Sequence, residues 1–403
     1  MASQRQRILT MNRGSATLKS TLYEVGARNE VVLAISVAYS GGGGAHARLK
    51  ISDANGTTLL DSSVKSTDSN AALQAVFAWL DKHEYLSGLK AAGHRLVHGG
   101  ARYTEPQRIT PKFLRALEKL VPLDPDHLPA AIKGIRFVAK QFPKLAQVAC
   151  FDTAFHSSLP ALAKMYALPR RFYDEGIRRY GFHGLSFEYI VGELRKLDAK
   201  LAASRVIVAH LGSGASIVAL QDGKSMDTSM GFTPLEGLVM SARSGDVDPG
   251  LLLYLLAEKK MPAKDAGTLL NKRSGLLGVS GSTGDMRELM EKAAHEPHAA
   301  EAIDLFCYRA KKYIGAYSAA LGGLDALVFT GGIGERAAAI RERICNGLDF
   351  LGIHLDAARN AANAPIISAS DSRVNVRVIQ TNEDLMIVQH VITVLGEKTR
   401  GTQ

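Results

Sequence analysis

With 403 residues, 46% of them apolar and 22% charged, the chain has an ordinary globular composition, and it is longer than a single hydrophobic core usually serves, so about two domains are expected. Its net charge of +10 is scattered, with no aromatic-rich basic run, which argues against a nucleic-acid partner and for attraction of small anionic substrates. Cys150, Cys307 and Cys345 lie far apart with no C-x-x-C pair, so reduced, buried thiols are expected rather than a disulfide framework.

The basic opening MASQRQR runs into the short ILTM instead of a signal-peptide core, and no stretch of about 18 uninterrupted apolar residues follows. A cytoplasmic location without a membrane partner is the expectation. From Ile8 to Asp53 the apolar alternation predicts strands at ILTMN, TLKSTLYEV, VVLAISVAY and ARLKISD, separated by glycine-bearing turns and the run Gly41 to Gly44. A helix over about 70–83, a strand at HRLVH, helices near 111–120 and 128–141, and a strand AQVACF ending at Asp152 complete an α/β domain with a mixed sheet. The plan then recurs: RVIVAHL, ASIVAL and KSMDTS read as strands, helices dominate from Pro249 to Leu321, and DALVFT and VNVRVIQ read as strands. Each half opens on a short glycine turn between strands, Asn12-Arg13-Gly14-Ser15 and His210-Leu211-Gly212-Ser213-Gly214, a weak internal repetition that suggests a duplicated fold.

Any one glycine turn could be hairpin punctuation. Asn12, Ser15, Thr17 and Lys19 around the first turn, and serines around the second, add donors and a cation to backbone N–H groups that can approach phosphate closely. Familiar nucleotide loops are matched poorly or only loosely. Gly223-Lys224-Ser225 fails as a Walker loop because Val218 stands where a glycine is required. Gly332-Ile333-Gly334-Glu335-Arg336-Ala337 fits the loose dinucleotide fingerprint, which keeps a nicotinamide oxidoreductase open as an alternative. His94 and His98 have helical zinc-pair spacing, yet the local pattern is a strand, so structural roles are expected. No G-x-S-x-G elbow occurs. Asp152 closes a buried-looking strand, where a carboxylate can face the crevice of an α/β sheet or simply cap a helix. Arg95 and Arg243 lie beside glycine-rich connections, and the joint pattern of cations, carboxylate and glycine turns points to phosphate chemistry.

At MNRGSATLK, HRLVHGG, FDTAFH, RRYGFHG, HLGSGAS, DTSMGFTPLEGL, RSGDVDP, SGLLGVSG, VFTGGIGE, IRERICNGLDFLGI and TNEDLMI, in that order, the chain resembles the acetate kinase family, with propionate and butyrate kinases nearby. The resemblance implies two duplicated actin-like and hexokinase-like (ASKHA) α/β ATPase domains around a nucleotide cleft, usually in a homodimer, with residues 1–152 plus 385–403 as the carboxylate-side domain and 153–384 as the nucleotide-side domain. It implies ATP or ADP as a substrate, a short-chain carboxylate as the other, and Mg²⁺ (or Mn²⁺) as cofactor. Carried over residue by residue, Asn12 and Glu383 match metal-site positions and Lys19 a phosphate contact. His210, Leu211, Gly212, Ser213, Gly214, Asp285, Met286, Arg287, Gly332, Ile333, Gly334, Glu335 and Arg336 match the ATP-binding segments. Arg95 matches the substrate-carboxylate anchor, Val97 and Pro234 the apolar wall of its pocket, Asp152 the catalytic acid/base, and His183 and Arg243 the transition-state stabilisers; His127 matches a further active-site histidine.

Several positions depart from the family pattern. Ala16 replaces a serine, and Ser213 and Arg336 each replace an asparagine, which keeps a catalytically weak, ATP-binding regulatory protein of the same fold in view. Pro122-Leu123-Asp124-Pro125-Asp126 carries an insertion that puts Asp126 where an apolar residue belongs; the inserted slack is expected to swing it outward.

Overall fold

A computed structural model describes residues 6–13, 17–39, 46–65 and 70–396. The turn residues Gly14, Ser15 and Ala16 and the glycine run 41–44 lie outside the described residues. The chain divides into two compact units, Met1–Ala154 with Asn382–Gln403, and Phe155–Thr381.

The first unit is built on strands β1 (Gln6–Arg13), β2 (Thr17–Val25), β3 (Glu30–Tyr39), β4 (His46–Asp53), β5 (Thr58–Lys65), β6 (Leu89–Leu96), β7 (Gln107–Arg108) and β8 (Ala146–Phe151), in the sheet order β5-β4-β3-β2-β1-β6-β8-β7. Alternation does what the sequence suggested: Leu33, Ile35 and Val37 of β3 and Ala47, Leu49 and Ile51 of β4 point inward, against Leu73, Val76, Phe77 and Leu80 of the helix Ala71–Lys82. On the other face the helix Glu383–Leu395 crosses β6 closely. A Cβ on Gly93 would lie 2.3 Å from Ile387 Cγ2 and 2.8 Å from Val391 Cγ2, so only glycine admits the helix there.

The second unit holds β9 (Arg205–Leu211), β10 (Ala215–Gln221), β11 (Lys224–Thr228), β12 (Ala326–Thr330) and β13 (Asn375–Val378), ordered β11-β10-β9-β12-β13. Val206, Val208, Val218, Ala326 and Val328 pack against Phe187, Ile190, Val191 and Leu194 of the helix Gly184–Leu197. The helical stretch divides into Pro249–Ala257, Ala263–Lys272, Gly275–Ser280, Met286–Lys292 and Pro297–Ala320; Pro249 and Pro297 open their helices and Gly281, at φ +69°, closes the third.

The same topology is present in both units. In the first, β3, β2 and β1 form an antiparallel meander and β1 pairs in parallel with β6, which pairs in parallel with β8. In the second, β11, β10 and β9 form the meander and β9, β12 and β13 run parallel. The duplication faintly suggested by the sequence is a shared strand order.

Candidate active site

Parallel neighbours align their C-terminal ends, and in the first unit those ends carry chemistry. Asn12 stands near the end of β1 and Arg95 near the end of β6. Asp152 is the first residue past β8, and Arg95 is registered against Cys150 of that strand. The Arg95 guanidinium donates from Nε to both Asp152 oxygens at 3.1 Å and from Nη2 to Oδ2 at 2.5 Å, while Nη1 donates to Asn12 Oδ1 at 3.0 Å. Asn12 Nδ2 in turn donates to Glu383 Oε2 at 3.0 Å, at the start of the helix Glu383–Leu395. Burial works against the charge on Arg95, but the carboxylates of Asp152, Glu383 and Asp124 more than offset it and hold its pKa above the ordinary arginine value. Three of the five guanidinium N–H groups are engaged among the described residues, which leaves two for an incoming carboxylate.

Around this cluster, Lys19 is exposed on β2 opposite Asn12, and Val97 is buried. Asp384, beside Glu383, accepts from Thr10 Oγ1 at 3.1 Å and Thr21 Oγ1 at 2.8 Å; burial raises its pKa. His94 lies on β6, as the strand pattern predicted, and His98 two residues past its end, so the pair lacks helical zinc-site geometry. His94 Nε2 meets Gln147 Oε1 at 2.8 Å, and His98 Nδ1 accepts from the Gly100 N–H at 2.8 Å. His127 sits just before the helix Leu128–Gln141 with its Nδ1 2.8 Å from Asp124 Oδ1. Asp126 is exposed, as the insertion suggested, and Asp124 is the buried aspartate.

In the second unit the RRYGFHG segment is shaped by tight packing. A Cβ on Gly181, at φ +76°, would come within 2.6 Å of the His156 ring and of Thr228 Cγ2. His156 itself is buried between Ser225 Oγ and the Phe182 carbonyl, and burial lowers its pKa to about 4. His183 follows in the left-handed conformation at φ 57°, which turns its ring onto that of His210, stacked at 4.4 Å. Its Nδ1 meets Ser216 Oγ at 2.9 Å, while His210 Nδ1 meets Ser186 Oγ at 2.8 Å. Both His183 and Arg243 lie against Gly214: a Cβ there would be 3.3 Å from His183 Nε2 and 3.8 Å from Arg243 Nη1. Arg243 is steadied by donation from Nη1 to the Pro234 carbonyl at 3.1 Å.

A cavity of about 580 Å³ opens in the same unit, lined by Gly212, Ser213, Asp285, Met286, Arg287, Gly332, Ile333 and Arg336 from the expected ATP segments. Ala337, the last residue of the fingerprint, also lines it, as do Ser241, Gly284, Met290 and Glu291, which sequence reasoning did not single out. His210, Leu211, Gly214, Gly334 and Glu335 are not among its lining residues. Glu335 turns toward the chain instead, its Oε1 accepting from the Gly331 and Thr381 N–H groups at 3.0 Å each. Asp285 caps the helix Met286–Lys292 and bonds Arg287, which lowers its pKa. The fingerprint glycines thus open a short helix, Gly331–Arg336, beside a cavity of ligand size.

No group of three or more metal-ligating His, Cys, Asp or Glu side chains occurs among the described residues. Asn12 and Glu383 still suit a hard cation. Glu383 offers a carboxylate oxygen, and Asn12, whose Oδ1 accepts from Arg95 and whose Nδ2 faces Glu383, would offer its amide oxygen only after reorienting; Mg²⁺ characteristically takes one or two protein carboxylates and completes its octahedron with water and substrate phosphate.

The Acetokinase family profile matches residues 7–389. The acetate kinase of Methylocella silvestris is 44% identical, the match covering 97% of this chain and 98% of that protein. Among solved structures, a propionate kinase from Francisella tularensis superposes with a TM-score of 0.90 at 37% identity, covering 96% of this chain and 98% of the other. Porphyromonas gingivalis acetate kinase superposes with a TM-score of 0.87 at 37% identity over 97% of this chain and all of that one (100%).

Proposed function

The chain belongs to the acetokinase family, and we propose that it transfers the γ-phosphoryl group of ATP reversibly to acetate, giving acetyl phosphate and ADP. The observation that carries this reading is the Arg95 cluster: a partly buried arginine held by Asp152 and Asn12, with two N–H groups left to grip a carboxylate. A carboxylate is already a nucleophile near neutral pH, so catalysis is mostly positioning and charge neutralisation. Arg95 orients the acetate, Val97 and Pro234 border its methyl group, and Asp152 fixes Arg95 in place. Lys19 and the glycine-walled cavity hold the nucleotide phosphates; His183 and Arg243 neutralise charge on the transferring group, and His127 is a further polar contact of the site. Asn12 and Glu383 would hold Mg²⁺, which when bound supplies charge neutralisation at the phosphate oxygens.

Propionate is the second candidate acceptor, because a solved relative at 37% identity is a propionate kinase. Hydroxylamine trapping of acyl phosphate with ATP, Mg²⁺ and a panel of acetate, propionate and butyrate tests both readings. Acetate is expected to give the highest kcat/KM; trapping with none of the acids would reject the enzyme and favour the regulatory alternative.

We place the reaction in the cytoplasm, where ATP is available, and no helix among the described residues is long and apolar enough to cross a membrane. A homodimer is proposed on the helix Pro249–Ala257, whose sequence PGLLLYLLA has no buried residue and leaves Leu251, Leu253 and Tyr254 47%, 65% and 49% exposed. Light scattering of the wild type and of Leu253→Arg tests it.

A further inference from the structure

The segment 122–126 brings a buried carboxylate to His127. Asp124 is 3% exposed, its Oδ1 lies 2.8 Å from His127 Nδ1, and its Oδ2 is buried without a hydrogen-bond partner among the described residues. The backbone holds it there: the Asp124 N–H donates to the Val121 carbonyl at 3.1 Å, and its own carbonyl accepts from the Leu128 N–H at 3.1 Å, at the threshold of the helix Leu128–Gln141. An aspartate kept only to cap that helix would spend its side chain on backbone N–H groups, as Asp248 does on Gly250. Asp124 spends it on a histidine ring.

A buried carboxylate oxygen without a partner is costly, and its presence calls for a reason. An ionised carboxylate can only accept, so His127 Nδ1 carries a proton and Nε2 becomes the nitrogen available to a substrate. The negative charge is also felt at Arg95, where it helps keep the guanidinium charged.

We propose that Asp124 is a positioning residue for phosphoryl transfer, locking His127 in its Nδ1-protonated form and in one ring orientation so that Nε2 meets the substrate. The kinetic half of this inference rests on the kinase reading above; the tautomer half does not. Carboxylates that orient a working histidine through its second nitrogen typically contribute ten- to a hundredfold.

Nitrogen NMR of the full chain labelled with ¹⁵N-histidine, assigned with His127→Gln, reads the tautomer directly. Neutral His127 is expected as the Nδ1–H form in the wild type and as a mixture in Asp124→Asn. An Nε2–H form in the wild type would overturn the proposal, even if the variant fails to fold. In the hydroxylamine assay Asp124→Asn should lower kcat by about tenfold or more with the KM for ATP changed by less than about twofold. Adding it to His127→Gln should lower kcat no further; equal losses with and without His127 would mean that Asp124 acts elsewhere. Failure of the kinase reading looks different: the wild type itself would trap no acyl hydroxamate.

Discussion

Replacing Arg95 by leucine should separate what this residue does for the fold from what it does for the reaction. Its Nε and Nη2 donate to Asp152, whose side chain is only 1% exposed, so Arg95→Leu takes the guanidinium away from a carboxylate buried just past β8. Breaking a buried, hydrogen-bonded pair from one side typically costs about 3–5 kcal/mol, whereas replacing both partners by apolar side chains is often close to neutral. Arg95→Leu/Asp152→Leu should therefore recover most of the lost stability. Trp79, the single tryptophan of the chain, stands on the helix Ala71–Lys82 of the same unit, stacked 4.2 Å from the His83 ring, so its fluorescence follows this unit through urea unfolding. With a denaturant slope of about 2 kcal/mol per molar urea, the single variant should unfold roughly 1.5–2.5 M earlier than the wild type. The double variant should return to within about 0.5 M of it. Activity should not follow: both variants should fall about a hundredfold or more in acyl hydroxamate formation, because neither can anchor a carboxylate. A double variant as unstable as the single would refute the buried pair as the source of the loss, and one that regained a tenth of wild-type activity would refute the anchor.

Three further outcomes are expected. Arg243→Ala, which loses a cation beside Gly214, should lower kcat by about 10²- to 10³-fold while the KM for ATP changes little, and retention of a third of wild-type turnover would remove Arg243 from the mechanism. Burial lowers the pKa values of His94 and His156 from 6.5 to about 4, so the folded chain binds fewer protons than the unfolded one between these values; each histidine's contribution is complete above pH 6.5 and is lost as pH falls toward 4, by up to about 3 kcal/mol. His94→Gln should accordingly flatten the pH dependence of the Trp79 urea midpoint between pH 7.5 and 4.5, and an unchanged slope would contradict the assignment. Asp126→Leu, at an exposed position, should leave the KM for acetate within about twofold; a tenfold fall, about 1.4 kcal/mol, would place that carboxylate in the pocket.

The strands that a one-dimensional pattern can reveal were legible. VVLAISVAY alternates because β3 has one buried face, and RVIVAHL is continuously apolar because β9 lies between two neighbours with both faces covered. β5 escaped notice because an edge strand is largely solvated and TLLDSSVK has little apolar alternation to show; β7, of two residues, is defined only by its pairing with β8. Strand order is a long-range property, so the duplication left only a weak trace in sequence although it organises both sheets.

The site followed a similar division. Asp152 could be picked out because it closes a strand of an α/β sheet, and Asn12 and Arg95 because they stand beside glycine turns; the distances among them required the fold. Side-chain direction was not legible. The segment from Pro122 to Asp126 offered two aspartates, and burial chose Asp124, which a histidine three residues on can pair, over Asp126, which has access to water. Arg341, which no sequence signal singled out, is fully buried, donating to the Gly334 carbonyl at 2.9 Å, to Asn360 Oδ1 at 2.8 Å and to the Asn360 carbonyl and Asn363 Oδ1 at 2.7 Å. With Glu335 bonded to the Gly331 and Thr381 N–H groups, the Gly-Gly-Ile-Gly-Glu loop is held from behind by charged side chains whose hydrogen bonds are spent on the chain itself. The motif therefore combines two kinds of residue. Gly332, Ile333 and Arg336 line the cavity, while Gly334 and Glu335 give the loop the shape that lets them do so.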